Sequence, residues 1–217
     1  MDKIYDVKKI QAGCKAASVP EVFKKEGIAY QQLTCVNWPE EYPYMPDVRF
    51  ALAYDGGNIL VHYIVKEKTT GAAATEDFGS VWQDSCAEFF FSPDGKGYYN
   101  FECNCIGTLL FCYGQDRNGR VQAPKEAVGS IDRWTTLPHA ALPEAHVDCW
   151  EAALVIPASA LFRHNLASFD GLDNASANIY KCGDALSTVH FLSWAPITTP
   201  APDFHRPEFF RPIHFGF

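Results

Sequence analysis

The sequence lacks what would take it into or onto a membrane. No apolar run approaches the ~18 residues that a spanning helix needs, and the start, MDKIYDVKKI, has no apolar signal core. The chain as it stands is expected in the cytoplasm, or in the periplasm or outside the cell if a leader has been trimmed away. A basic patch is also missing. Lys and Arg cluster no further than the isolated pairs Lys8-Lys9 and Lys24-Lys25 and the mixed Lys66-Glu67-Lys68, and the net charge is -8. Nucleic-acid binding neutralises phosphates with clustered cations, so that partner class is excluded, and anionic lipid surfaces with it. The eight cysteines contain no CxxC pair. Their scatter shows no disulfide framework and no zinc-ligand spacing. They read as reduced, buried thiols that pack as small hydrophobes. His139, His146, His190, His205 and His214 form no close ligand pairs and are expected to be hydrogen-bonded structural residues. No GxGxxG, P-loop or nucleophile elbow occurs. No long helices alternate with strands, which removes a parallel α/β sheet.

What remains is apolar residues at 47%, with 16 Phe, 10 Tyr and 5 Trp, arranged in short strand-like runs. Val48–Tyr54 and Ile59–Val65 flank Asp55-Gly56-Gly57-Asn58, a hairpin signal. Ser85–Phe91 and Tyr98–Cys105 flank a second turn, Ser92 to Gly97. Further strands are expected at Thr108–Tyr113, Trp150–Ile156, Ala177–Cys182 and His190–Trp194. Short helices are expected at Pro20–Lys25 and Pro157–His164. The five prolines between Pro196 and Pro212 predict an extended segment along an edge. The pattern gives an all-β fold: one domain over residues 1–217, a two-sheet antiparallel β-sandwich of jelly-roll or immunoglobulin-like type, with one or two short helices.

The second hairpin carries the candidate chemistry. On a strand, Phe101, Cys103 and Cys105 share one face, and Asn100, Glu102 and Asn104 share the other. A turn centred near Gly95 sets Glu88 opposite Glu102. Like charges directly opposite destabilise a sheet, so a cation, a proton, water or a ligand's hydroxyls should relieve the pair. Solvated carboxylates or a polar ligand platform both satisfy the pattern; a catalytic pair fits it poorly, because glycosidase carboxylates flank the scissile bond. Lys181 and Asp184 flank a turn where an ion pair or a backbone cap is expected, and Arg206 can fork onto a carboxylate.

Several segments together resemble carbohydrate-binding module family nine, in its family nine-like branch. They are Val81-Trp82-Gln83-Asp84-Ser85-Cys86-Ala87-Glu88-Phe89-Phe90-Phe91, Tyr98 to Gly107, Ile179-Tyr180-Lys181-Cys182-Gly183-Asp184, His190 to Pro196 and Phe204 to Phe210. The pattern departs at Arg211, where Gly is expected. The resemblance implies a sandwich similar to DOMON-type domains, a role in polysaccharide catabolism, and non-catalytic binding of a mono- or oligosaccharide between two Trp rings. It implies no required cofactor, although structural calcium is known in the family. Trp82 matches one ring of the clamp and Glu88 a carboxylate that accepts sugar hydroxyls. Trp194 is the choice for the second ring, with Trp134 next. Asn100, Glu102 and Asn104 complete the expected site, and no catalytic residue is assigned. The alternatives are a sandwich that has lost sugar binding and serves a structural role, and a glycoside-processing enzyme using Glu88 and Glu102.

Overall fold

The computed structural model describes residues 4–11 and 13–216. In chain order its strands are β1 (Tyr5–Lys9), β2 (Gln31–Gln32), β3 (Cys35–Val36), β4 (Asp47–Tyr54), β5 (Asn58–Lys66), β6 (Thr70–Ala72), β7 (Cys86–Ser92), β8 (Tyr98–Asn104), β9 (Leu109–Gly114), β10 (Val121–Gln122), β11 (Asp132–Thr135), β12 (Leu142–Ala145), β13 (Trp150–Pro157), β14 (Ser176–Cys182), β15 (Phe191–Ser193) and β16 (Arg211–Phe215). The helices are α1 (Val19–Glu26) and α2 (Lys125–Ser130). The chain is mostly strand, as expected.

Two layers face each other. One runs β10-β9-β8-β7-β14, with β15 and β16 on β14; the other runs β1-β4-β5-β13-β11. The layers join along one edge, where β1 pairs in parallel with both β16 and β4. These two parallel pairs were not anticipated, since short runs at the chain's ends give no periodicity to read. β6 and β12 form a small separate pair.

Strand alternation divides the side chains into three clusters. Phe50, Leu52, Val61, Tyr63, Phe89, Phe91, Phe101, Phe111 and Leu154 fill the space between the layers. Opposite-parity residues of β4, β5 and β13 (Ala51, Ala53, Leu60, Ala153, Val155) are covered by Val19 and Phe23 of α1. Pro20 near its first turn suits the start of α1. Gly27, at φ 63°, ends it in the left-handed conformation, with its N–H turned back to Lys24 and Phe23. Opposite-parity residues of β7, β8, β9 and β14 form the third cluster, which includes Cys86, Phe90, Tyr98, Leu110, Cys112, Tyr180 and Cys182. The candidate site lies on this outer face.

The register of the second hairpin is the one its sequence predicts: Glu88 pairs with Glu102 and Phe89 with Phe101. Its turn is held by Ser92 Oγ, which donates to Gly97 O (2.6 Å) and accepts from Gly95 N (3.0 Å), with Gly95 at φ 74°. Pro157–His164 gives a single 3-10 turn, Ala158–Ala160, in place of a short helix. The tail from Pro196 runs extended to a 3-10 turn at Pro207–Phe209 and then enters β16.

Candidate functional site

Two rows of side chains cross the outer face of the β9-β8-β7-β14-β15 layer. One row is Leu110, Glu102, Glu88, Tyr180 and Ser193; the next is Asn104, Cys86, Cys182 and Phe191. Loops close over these rows and leave a cleft of about 560 Å³, solvent-open mouth included. Glu88, Glu102 and Cys182 lie at its floor. Trp82, Phe191, Pro202, Phe204 and His205 supply its apolar walls, and Arg117, Arg120, Asp184 and Asp203 its charged ones.

Trp82 sits half-buried on a 3-10 turn, Val81–Gln83, just before β7. Its carbonyl accepts from Asp184 N (3.1 Å), with the Cys182 sulfur 3.4 Å away. The turn is tied down by Asp84, whose carboxylate accepts from Ala73 N, Ala74 N and Asn104 Nδ2 at 2.8, 3.1 and 2.9 Å. The ring is thus placed by backbone bonds and keeps a face available for contact.

The two carboxyl groups are almost fully buried, Glu88 at 2% and Glu102 at 3% exposure. Glu102 Oε1 accepts from Asn100 Nδ2 (2.9 Å) and lies 3.4 Å from Arg120. Glu88 Oε1 accepts only from the Cys182 thiol (3.1 Å) among the described residues. Burial pushes Glu102 up to about 7, against the pull of Arg120. Burial, with the charge of Glu102 second, pushes Glu88 well above the usual carboxylate range. Such a pair readily holds one proton between two acids. It can both donate to and accept from a hydroxyl-bearing ligand. His205 stacks obliquely on Phe90 (4.9 Å) and meets Tyr98 Oη through Nδ1 (2.9 Å). Burial, and then the two arginines, hold it neutral.

The structure separates the sequence-derived candidates. Trp82, Glu88 and Glu102 share the cleft. Asn100 is fully buried behind Glu102 and orients it. Asn104 is used up structurally: its Nδ2 donates to Ala74 O and Asp84, and its Oδ1 accepts from Ile106 N and Thr108 N. Trp194 is not at the cleft. It lies in the core between the layers, edge-on to Tyr5 (5.5 Å) and Phe50 (5.6 Å). Arg211 lies over its ring at 4.7 Å, which gives the residue standing in place of the expected Gly a packing role. The cause is parity: Phe191 faces out, so Trp194, three residues on, faces in. Trp134 packs against the α1 side of the other layer. The cleft's other aromatic walls are Phe191 and Phe204, backed by Trp38 at 5.6 and 6.1 Å. Sequence reading missed Arg117, Arg120, Phe204 and His205 as lining because they arrive on loops. Lys181 does form the expected ion pair, with Glu67 (2.8 Å), and Arg206 forks onto Glu208.

Comparison with known proteins gives a consistent result. The model of carbohydrate-binding family 9 matches residues 17–215. A crystal structure of a Bacteroides uniformis protein assigned to carbohydrate binding is 44% identical, with a TM-score of 0.93 over 98% of this chain and 99% of that one. A family 9 module from Caldicellulosiruptor kristjanssonii, in complex with cellotriose, gives a TM-score of 0.64 at 9% identity, covering 99% of this chain and 94% of its own. With glucose, it gives 0.64 at 11% identity, covering 98% and 96%. At such identity the likeness shows the shared fold alone. No curated protein matches.

Proposed function

The chain belongs to carbohydrate-binding family 9, and from that premise we propose that its outer-face cleft binds a mono- or oligosaccharide and performs no reaction on it. One observation carries the proposal: a half-buried Trp ring and a buried, underpartnered carboxyl pair converge on a single small cleft. A pyranose has an apolar C–H face and a rim of hydroxyls. Trp82 takes the face, with Phe191 and Phe204 as further apolar wall. Glu88 and Glu102 take the rim, since each can accept from a hydroxyl and a protonated one can also donate. Asp184, Arg117 and Arg120 border the mouth and suit further hydroxyls. Asn100 acts as a positioning residue through Glu102. The sugars bound by the Caldicellulosiruptor module, glucose and cellotriose, are the first ligands to try here.

Both carboxyl groups rise from adjacent strands on the same side of the cleft. A glycosidase needs its pair on either side of the scissile bond, so binding is favoured over hydrolysis. Stacking on Trp82 should contribute on the order of 1–3 kcal/mol, and a well-placed charged acceptor about 1.5–3 kcal/mol. Calorimetry against a sugar panel on wild type and Trp82→Ala tests the reading. The variant should lose affinity ~10-fold or more, while its melting temperature stays near that of wild type. A collapse in stability, or an unchanged affinity, would place Trp82 in the core instead. If no sugar binds the wild type, the structural-domain reading takes first place.

A further inference from the structure

Cys86 and Cys182 stand 96 residues apart in sequence and directly opposite each other on β7 and β14. Glu88 follows Cys86 on the same face. Their Sγ, Sγ and carboxylate oxygen atoms all lie within 4.8 Å of one another, and all three residues are buried. Cys182 Sγ is already 3.1 Å from Glu88 Oε1. Glu88 and Cys182 also line the cleft, so solvent reaches the group from one side.

We propose that this group is a binding site for a thiophilic divalent cation, zinc fitting best, with Cys86 and Cys182 as thiolate ligands, Glu88 as oxygen ligand, and a fourth position open to the cleft. A tetrahedral zinc with bonds of about 2.0–2.3 Å sets its ligand atoms roughly 3.3–3.8 Å apart. Loading requires side-chain rotation that draws the three atoms from within 4.8 Å to that spacing. The donors rest on a paired two-strand ladder, a rigid support of the kind a metal site needs. Two thiolates select a soft or borderline cation. They do not suit calcium, which takes six to eight oxygens, so a structural calcium of the kind known in the family would not sit in this group. Glu102 lies across from Glu88 and can fill the fourth position, as can water or a ligand hydroxyl.

Charge supports the same assignment. Glu88 and Glu102 face each other almost fully buried, and among the described residues Arg120 is the one cation at salt-bridge distance from either carboxylate. A divalent ion relieves that repulsion directly. A coordinated thiol loses its proton outright. Loading therefore forms two metal–sulfur bonds and one metal–oxygen bond. It releases one proton from each thiol, and one from Glu88 when that group is protonated.

The site rests on the geometry of the cleft and not on its sugar reading. The test is a Co²⁺ titration of full-length protein, stripped with chelator under reducing conditions, followed by competition with Zn²⁺. The expected result is one equivalent of Co²⁺, with the intense near-ultraviolet charge-transfer band of a thiolate site and the visible bands of tetrahedral cobalt. Zinc should abolish both. Cys86→Ser and Cys182→Ser should each lose the charge-transfer band, and the distant Cys149→Ser should keep it, with circular dichroism checking each fold. No charge-transfer band in the wild type at stoichiometric Co²⁺ overturns the site whether or not the variants fold, as does a band that survives Cys86→Ser. Trp82→Ala should keep the band, so the two readings fail separately. A protein that binds glucose and no cobalt rules out the cation site alone; one that binds cobalt and no sugar upholds it.

Discussion

Residues 181 and 182 point to opposite faces of β14, and each enters a buried polar cluster of a different kind. On the inner face, Lys181 Nζ donates to His190 Nε2 (2.8 Å) and Cys182 O (2.7 Å) and is ion-paired with Glu67 Oε2 at 2.8 Å. Glu67 Oε1 accepts from Trp150 Nε1 (2.6 Å), and His190 Nδ1 meets Thr188 O (2.9 Å). On the outer face, the Glu88 and Glu102 carboxyls oppose each other with one thiol, one amide and one guanidinium between them. Burial is the largest single influence on Glu67 and pushes it up, but Lys181, His190 and the Trp150 N–H together outweigh it and hold Glu67 below its ordinary range; the outer pair is held above it. A charge-compensated cluster serves the fold. An undercompensated one that opens on a cleft leaves bonds for something else to make.

The largest test of this contrast is Lys181→Met. It leaves Glu67 buried without its counter-charge and should cost about 3–5 kcal/mol in denaturant unfolding. A loss under ~1 kcal/mol would mean that the inner cluster is not the structural one.

Next comes the pH dependence of the inner cluster. Burial, with the Lys181 charge beside it, lowers His190 to about 3. An unfolded histidine titrates near 6.5, so below that pH the unfolded chain takes up a proton that the folded chain refuses. Stability from this group is present above pH 6.5 and falls as the pH drops toward 3, by about 1.4 kcal/mol per unit. His190→Gln should remove that slope while Gln still accepts from Lys181. Melting curves of the two proteins across this window should therefore converge in acid; parallel curves would show that His190 is protonated in the fold.

The smallest effect is expected at the outer pair. Glu102→Gln keeps the shape and removes the like charge, so stability near neutrality should change by less than ~1 kcal/mol, or rise. A loss as large as that of Lys181→Met would erase the distinction between the faces.

The outer pair was legible because a hairpin turn at a known glycine sets its own register: once Gly95 is the turn, Glu88 must meet Glu102. The same alternation rule, applied along β15, would have kept Trp194 out of the cleft and put Phe191 in. There the family pattern of two Trp rings and the strand parity disagree, and the parity prevails. The rest could not be read locally. Arg120 arrives on a loop after β9, Phe204 and His205 on the extended tail, and Cys182 from a strand far along the chain. Asn104 looked like a ligand because a strand face shows which way a side chain points, not whether its bonds are already taken. An ion pair or a cap was expected where Lys181 and Asp184 flank a turn, but the partner of Lys181 is Glu67, on the connection that follows β5.

The parallel pairing of β1 with β16, three residues deep from Tyr5–Ile213 to Val7–Phe215, has a mechanical consequence. Tension applied at the two ends of the chain would pull these strands along their length in opposite directions. Their slanted ladder bonds would be sheared together, not peeled one at a time, which is the stronger way to load them. The segment that roofs the cleft runs from β15 into β16. Under stretch it should stay anchored, and the cleft keep its shape, until that clasp ruptures.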